Sequence, residues 1–143
     1  MMSEVILEKT VSSVKETEEI AIMLAEKVNC GDVIALIGNL GAGKTLFTKA
    51  FCSRYDIDEV VSPSFAIVNE YYGDKKVFHF DFYRLKNADE LAEIGFYDYL
   101  NDDYAVTLIE WANLFIEILP KRRYEVNIEI LEDNKRKITI TKK

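Results

Sequence analysis

The sequence predicts an α/β fold: a three-layer sandwich in which helices cover a mixed, partly parallel central sheet. Three observations predict it. "DVIALIG" and "YAVTLIE" are nearly continuous apolar runs of strand length, as expected for strands buried on both faces. Helical patterns alternate with these runs. Near the C-terminus, "YEVNIEIL" and "RKITIT" instead alternate apolar with polar residues, the pattern of an antiparallel pair.

Each element follows in chain order. A short strand is expected at Val5–Leu7. Ser13 and Glu16 form an S-x-x-E capping box that opens a helix running to about Asn29. Ile20, Ala21, Leu24, Ala25 and Val28 give that helix one apolar face. The buried strand "DVIALIG" leads into a glycine-rich loop, and residues 44–54 read as a helix. "FAIVNEYYGDKKVFHFDFYRL" reads as a hairpin turning at Gly73–Lys75. "ADELAEIGFYDYL" is helical in two pieces, interrupted near Gly95. The second buried strand is followed by a short helix, Asn113–Leu119, which Pro120 ends. The last antiparallel pair is joined at Glu132–Asn134.

The 143 residues read as one domain, residues 1–143, with no repeat and no linker. The first residues hold acids and no long apolar run, and no segment approaches 18 consecutive apolar residues. A cytoplasmic location is therefore expected. Cys30 and Cys52 have no metal-ligand spacing and are expected to be reduced and packed. Net charge is −7, but residues 121–143 carry 8 basic and 4 acidic side chains. The balance is a poor one for gripping RNA without help, since such binding rests on many phosphate contacts. The basic tail could meet a phosphate or an acidic partner, or simply place solvated charges on edge strands.

The loop carries the chemistry. "GNLGAGKTLF" contains G-x-x-x-x-G-K-[ST] without a mismatch, between an apolar strand and a helix. Glycines let backbone N–H groups wrap an anion, and the helix beginning at Lys44 aims its unpaired amides and positive dipole end at phosphates. The expected nucleotide contacts run through Gly38, Asn39, Leu40, Gly41, Ala42, Gly43, Lys44, Thr45 and Leu46. Lys44 would reach the β- and γ-phosphates, and the Thr45 hydroxyl would bind Mg²⁺. The fold class is thus P-loop NTPase-like. No N/T-K-x-D element for reading guanine occurs, so ATP is favoured over GTP.

Such a cradle needs acids at strand ends to hold or orient Mg²⁺. Glu110 ends the better apolar run and is assigned to the metal, directly or through water. Asp81 shares a strand face with His79 and Tyr83, opposite Phe78, Phe80 and Phe82. It is a second metal-shell group or the orienter of attacking water. Lys44, Asp81 and Glu110 are the catalytic candidates; Thr45 and Glu110 are the metal candidates. His79 reads as structural, and Trp111 as a packing anchor beside the site. The segment Ser62-Pro63-Ser64-Phe65 either offers the Ser64 hydroxyl as a γ-phosphate sensor or is a turn fixed by Pro63.

Together, "GDVIALIGNLGAGKT", "SPSFAIVNEY", "HFDFYRL", "ELAEIGFYDYL" and "LIEWANL" resemble, in order and spacing, the TsaE (YjeE) family of small ATPases. The resemblance implies a cytoplasmic accessory ATPase that joins a TsaB–TsaD complex. That complex threonylcarbamoylates adenosine 37 of tRNA, so tRNA would be met only through the partners, and no membrane is involved. It also implies roles for Lys44, Thr45, Ser64, Asp81 and Glu110, and nucleotide contacts at Thr17 and Arg136. The chain departs from the family pattern at Ser64, where threonine is more frequent, at Leu46, where a second threonine is frequent, and at Ala112, where proline is usual. Two rival readings are a small-molecule kinase and a non-hydrolysing, nucleotide-gated interaction module.

Overall fold

The computed structural model describes residues 3–39, 41–63 and 67–143. Its strands are β1 (Glu4–Val11), β2 (Val33–Gly38), β3 (Val68–Tyr72), β4 (Lys76–Asp81), β5 (Ala105–Glu110), β6 (Tyr124–Ile130) and β7 (Arg136–Lys142). Its helices are α1 (Val14–Lys27), α2 (Lys44–Ser53), α3 (Asp89–Glu93) and α4 (Phe96–Leu100), with a 3₁₀ segment at Ala112–Ile118. The strands form one sheet ordered β1-β7-β6-β2-β5-β4-β3. The inner pairs β6–β2, β2–β5 and β5–β4 are parallel, and the outer pairs are antiparallel. This is the mixed α/β sheet expected.

Burial explains the arrangement. Every residue of β5 and the first four of β2 are buried, which is why both read as unbroken apolar runs. The apolar stripe of α1 packs with Phe47 and Phe51 of α2 against Ile34, Leu36, Leu108, Val126 and Ile138 on one face of the sheet. On the other face, Phe78, Phe80 and Phe82 pack with Leu91 and Phe96, beneath α3, α4 and the 3₁₀ segment. The rings of Phe80 and Phe96 meet edge to face at 5.1 Å.

Several boundaries differ from expectation. β1 is longer than Val5–Leu7, because pairing with β7 extends it through polar residues such as Glu8 and Thr10. α1 ends at Lys27, not Asn29: Val28 turns extended, and the Asn29 amide donates to Asp32 Oδ2 at 2.8 Å. In the capping box, Ser13 Oγ accepts the Glu16 amide as expected, but Glu16 reaches back to the Ser12 amide rather than that of Ser13. The expected helix Asn113–Leu119 is a 3₁₀ segment starting one residue earlier, with Phe115 out of helical conformation and its ring against Phe82. Cys52 is buried, whereas Cys30 is exposed rather than packed; both are free thiols.

Candidate functional site

Register brings the acids together. β5 lies between β2 and β4, with Leu36 opposite Glu110 on one side and Asp81 opposite Glu110 on the other. Gly38, Glu110 and Asp81 therefore end three adjacent parallel strands on one rim, the edge where α/β sheets bind ligands. The loop leaving β2 feeds α2, which starts at Lys44.

The loop's glycines do different work. A Cβ on Gly38 would sit 2.8 Å from the Ile128 carbonyl oxygen and 3.1 Å from Ala42 Cβ, so this position must be bare for the loop to lie on β6. Gly43 has φ 109, which a side chain disfavours, and a Cβ there would face open space. That space borders an α2 N-terminus with no side-chain cap, leaving its first amides for a ligand. The cradle fits a phosphate chain.

Lys44 Nζ donates to the carbonyls of Gly38 (2.6 Å) and Asn39 (3.0 Å) and lies 4.0 Å from the Trp111 ring centroid. Burial holds its ammonium below the usual lysine range, while the carboxylates of Glu110 and Asp81 oppose that shift. Thr45 Oγ1 donates to Glu110 Oε1 at 3.3 Å and lies 3.4 Å from Ser62 Oγ. Asp81 accepts the Tyr83 amide at 2.9 Å. Burial is the main cause that raises the Asp81 carboxyl above its ordinary range; the Tyr83 hydrogen bond opposes it, and nearby Glu110 adds to it.

His79 is fully buried, and its Nε2 lies 2.5 Å from Glu110 Oε2. A carboxylate can only accept, so the ring donates there. The other ring nitrogen, Nδ1, lies 3.0 Å from the Tyr71 hydroxyl, which in turn donates to the Val61 carbonyl (2.8 Å) and accepts the Val61 amide (3.3 Å). His79 is thus a direct neighbour of Glu110, more than a filler of the core.

Two cavities meet at the loop. One, of about 330 Å³, is lined by Lys44, Thr45, Ser62, Asp81, Glu110 and Trp111. The other, of about 410 Å³, includes Thr17, Asn134 and Arg136. Gly41, Gly43 and Leu46 border both, so an elongated ligand could cross the loop with its phosphate end in the first and the rest in the second. Arg136 Nη2 donates to the Gly41 carbonyl at 3.4 Å. Part of the basic tail is engaged by acids: Arg123 and Lys143 pair with Glu125, and Lys137 with Glu8.

The structure brings Lys44, Thr45, Asp81 and Glu110 together, and sets Thr17 and Arg136 around the neighbouring cavity. Leu40 and Ser64 lie outside the described residues. Sequence reasoning missed Ser62 and Tyr71 and left His79 out of the site. The available signals were the hydroxyl preceding Pro63 and the shared strand face of His79 and Asp81. Among the described residues no group of three or more His, Cys, Asp or Glu side chains could hold a metal. A hydroxyl and a carboxylate beside a phosphate site suit Mg²⁺, which keeps several waters and takes few protein ligands.

A parallel-centred α/β sheet with a glycine-lysine-threonine loop at its rim defines a P-loop NTPase-like protein, a class that implies a nucleotide ligand. The family model described as "Threonylcarbamoyl adenosine biosynthesis protein TsaE" matches residues 11–138. The chain belongs to the TsaE family. It is 36% identical over 138 residues to the tRNA threonylcarbamoyladenosine biosynthesis protein TsaE of Rickettsia prowazekii (strain Madrid E), covering 93% of each chain. It is 41% identical over 129 residues to the protein of the same name from Bacillus subtilis (strain 168), covering 89% of this chain and 80% of that one. The crystal structure of Bacillus subtilis YdiB superposes with a TM-score of 0.82 at 36% identity, covering 99% of this chain and 88% of that chain. Among the described residues no helix is long and apolar enough to cross a membrane.

Proposed function

We propose that this chain is a cytoplasmic accessory ATPase, one domain over residues 1–143, that supports threonylcarbamoylation of adenosine 37 in tRNA by a TsaB–TsaD complex. The observation that carries the reading is the juxtaposition of Lys44 and the Thr45–Glu110 hydrogen bond at the uncapped start of α2. In this reading Gly38–Leu46 enclose the triphosphate, and Lys44 exchanges its carbonyl partners for phosphate oxygens. Thr45 and Glu110 hold Mg²⁺, which neutralises charge on the phosphates when bound. Asp81 orients water or completes the metal's surroundings. Thr17 and Arg136 face the nucleoside part, and Ser64 senses the γ-phosphate. The catalytic residues are then Lys44, Asp81 and Glu110. Membership of the family supports this, as do the names its relatives carry.

Hydrolysis is slow without partners, because Glu110 is already engaged by Thr45 and His79 and, among the described residues, no positioned general base stands free of the metal site. The experiment is to compare ATP turnover with and without TsaB–TsaD. Turnover that rises when the partners are added supports the reading; fast turnover by the chain alone contradicts it. The same engagement of Glu110 favours, as a second reading, a nucleotide-gated module that binds without hydrolysing. Intact tRNA modification with Glu110→Ala but not with Lys44→Ala would select it.

A further inference from the structure

The hydrogen bonds around Glu110 close into a ring. Glu110 Oε1 accepts Thr45 Oγ1, which lies 3.4 Å from Ser62 Oγ; one residue back along the chain, Val61 is held at both its carbonyl and its amide by Tyr71. Tyr71 meets His79 Nδ1, and His79 Nε2 returns to Glu110 Oε2. Asn69 Nδ2 adds a further donor to the Val61 carbonyl at 3.0 Å. The ring therefore joins the candidate metal ligands to the loop before Pro63 by two routes, a short one through hydroxyls and a longer one through a fully buried histidine.

We propose that His79 and Tyr71 are positioning residues that couple the Glu110 carboxylate to the loop segment Val61–Ser62, so that what Glu110 binds and where the loop sits are set together. The chemistry of the chain favours this. A carboxylate oxygen can draw the donor proton of His79 Nε2, which leaves Nδ1 of a neutral ring as an acceptor. Tyr71 has one proton for two acceptors, Nδ1 and the Val61 carbonyl. When Glu110 turns toward a cation, the His79 bond loosens, and the Tyr71 proton shifts its share toward Val61. A packed, two-arrangement element of this kind transmits a change at one end as a discrete change at the other. The metal arm of the idea rests on the nucleotide reading above; the coupling itself does not.

Native-state amide exchange at Val61 and Ser62 tests it in the nucleotide-free protein. Tyr71→Phe keeps the ring and removes the hydroxyl, and should speed Val61 exchange about five- to tenfold, the effect of losing roughly one hydrogen bond. Glu110→Ala removes the His79 partner, as a cation would draw it away, and should slow Val61 exchange although its side chain does not touch Val61. The double variant should exchange as Tyr71→Phe alone does. An unchanged Val61 in Glu110→Ala, or effects that multiply in the double variant, overturns the proposal in favour of the hydroxyl route or none. Should Glu110→Ala not fold, a comparison of ATP with Mg²⁺ against ATP with EDTA replaces it. Wild type should show Mg²⁺-specific slowing at Val61, and Tyr71→Phe should bind ATP without it; retained slowing in Tyr71→Phe overturns the coupling. A wild-type protein that bound no ATP would refute the nucleotide reading, while the nucleotide-free cycle would still decide the coupling.

Discussion

The Lys44 ammonium lies 4.0 Å from the centre of the Trp111 ring, a cation–π contact at the mouth of the cradle. Trp111 is held there at φ 58, a left-handed conformation rare for a bulky residue, with its ring tilted against Tyr83 at 4.9 Å. Because backbone strain of this kind costs about 1–3 kcal/mol, packing around the indole must hold it in place. The ring therefore sits where any anion that attracts Lys44 alters its surroundings.

Trp111 is the sole tryptophan, so its emission reads out the cradle. Saturable quenching or shift on adding ATP with Mg²⁺ is expected. Lys44→Ala should change the starting emission and abolish the response; a full response in that variant would separate Trp111 from the site.

The half-buried Asp81 carboxylate costs the fold stability. Its carboxyl is raised above the ordinary value of 3.8, so between that value and the raised one the folded chain keeps a proton that the unfolded chain has lost. Stability therefore falls as pH rises through that window, and the ionised group remains a burden at neutral pH. Asp81→Asn keeps an acceptor for the Tyr83 amide and removes the charge. Thermal melts without ligand should show a higher Tm for the variant at pH 7 and a shrinking difference toward pH 4. A lower Tm at pH 7 would contradict this account.

The two cysteines should differ sharply. Burial pushes the Cys52 thiol up to about 12, leaving almost no thiolate, whereas Cys30 is exposed. Titration with a thiol reagent should label one cysteine in the folded protein and the second only after denaturation. Rapid labelling of both in native buffer would disprove the packing described.

Gly38→Ala and Gly43→Ala should fail for different reasons. The first drives a Cβ against the Ile128 carbonyl and should cost about 1–3 kcal/mol by overpacking, visible in a urea melt. The second meets open space but imposes a φ of 109 on alanine, so it should weaken nucleotide binding as well as stability. Equal stability of Gly38→Ala and wild type would argue against the close approach to β6.

What was legible in the sequence was what is encoded locally. The cradle is contiguous, the capping serine lies three residues from its partner amide, and the alternation of Phe78, Phe80 and Phe82 assigned both faces of β4 correctly. Residues whose partners are distant in the chain escaped. Glu110 and His79 are 31 positions apart, and only the β4–β5 register makes them neighbours. Tyr71 looked like one of many strand aromatics, and nothing local marks its hydroxyl as the hinge between Val61 and His79. The full length of β1 was hidden for a related reason: its polar residues pair with β7, so the strand is made by its partner more than by its own pattern.

Calorimetric titration with ATP, in Mg²⁺ and again in EDTA, on wild type and Lys44→Ala, tests the central claim most directly. One site per chain is expected for wild type, weaker in EDTA because Thr45 and Glu110 then have no cation to hold, with no detectable binding by Lys44→Ala. Equal affinity in the variant, or indifference to Mg²⁺, would show that the polyphosphate does not lie in this cradle.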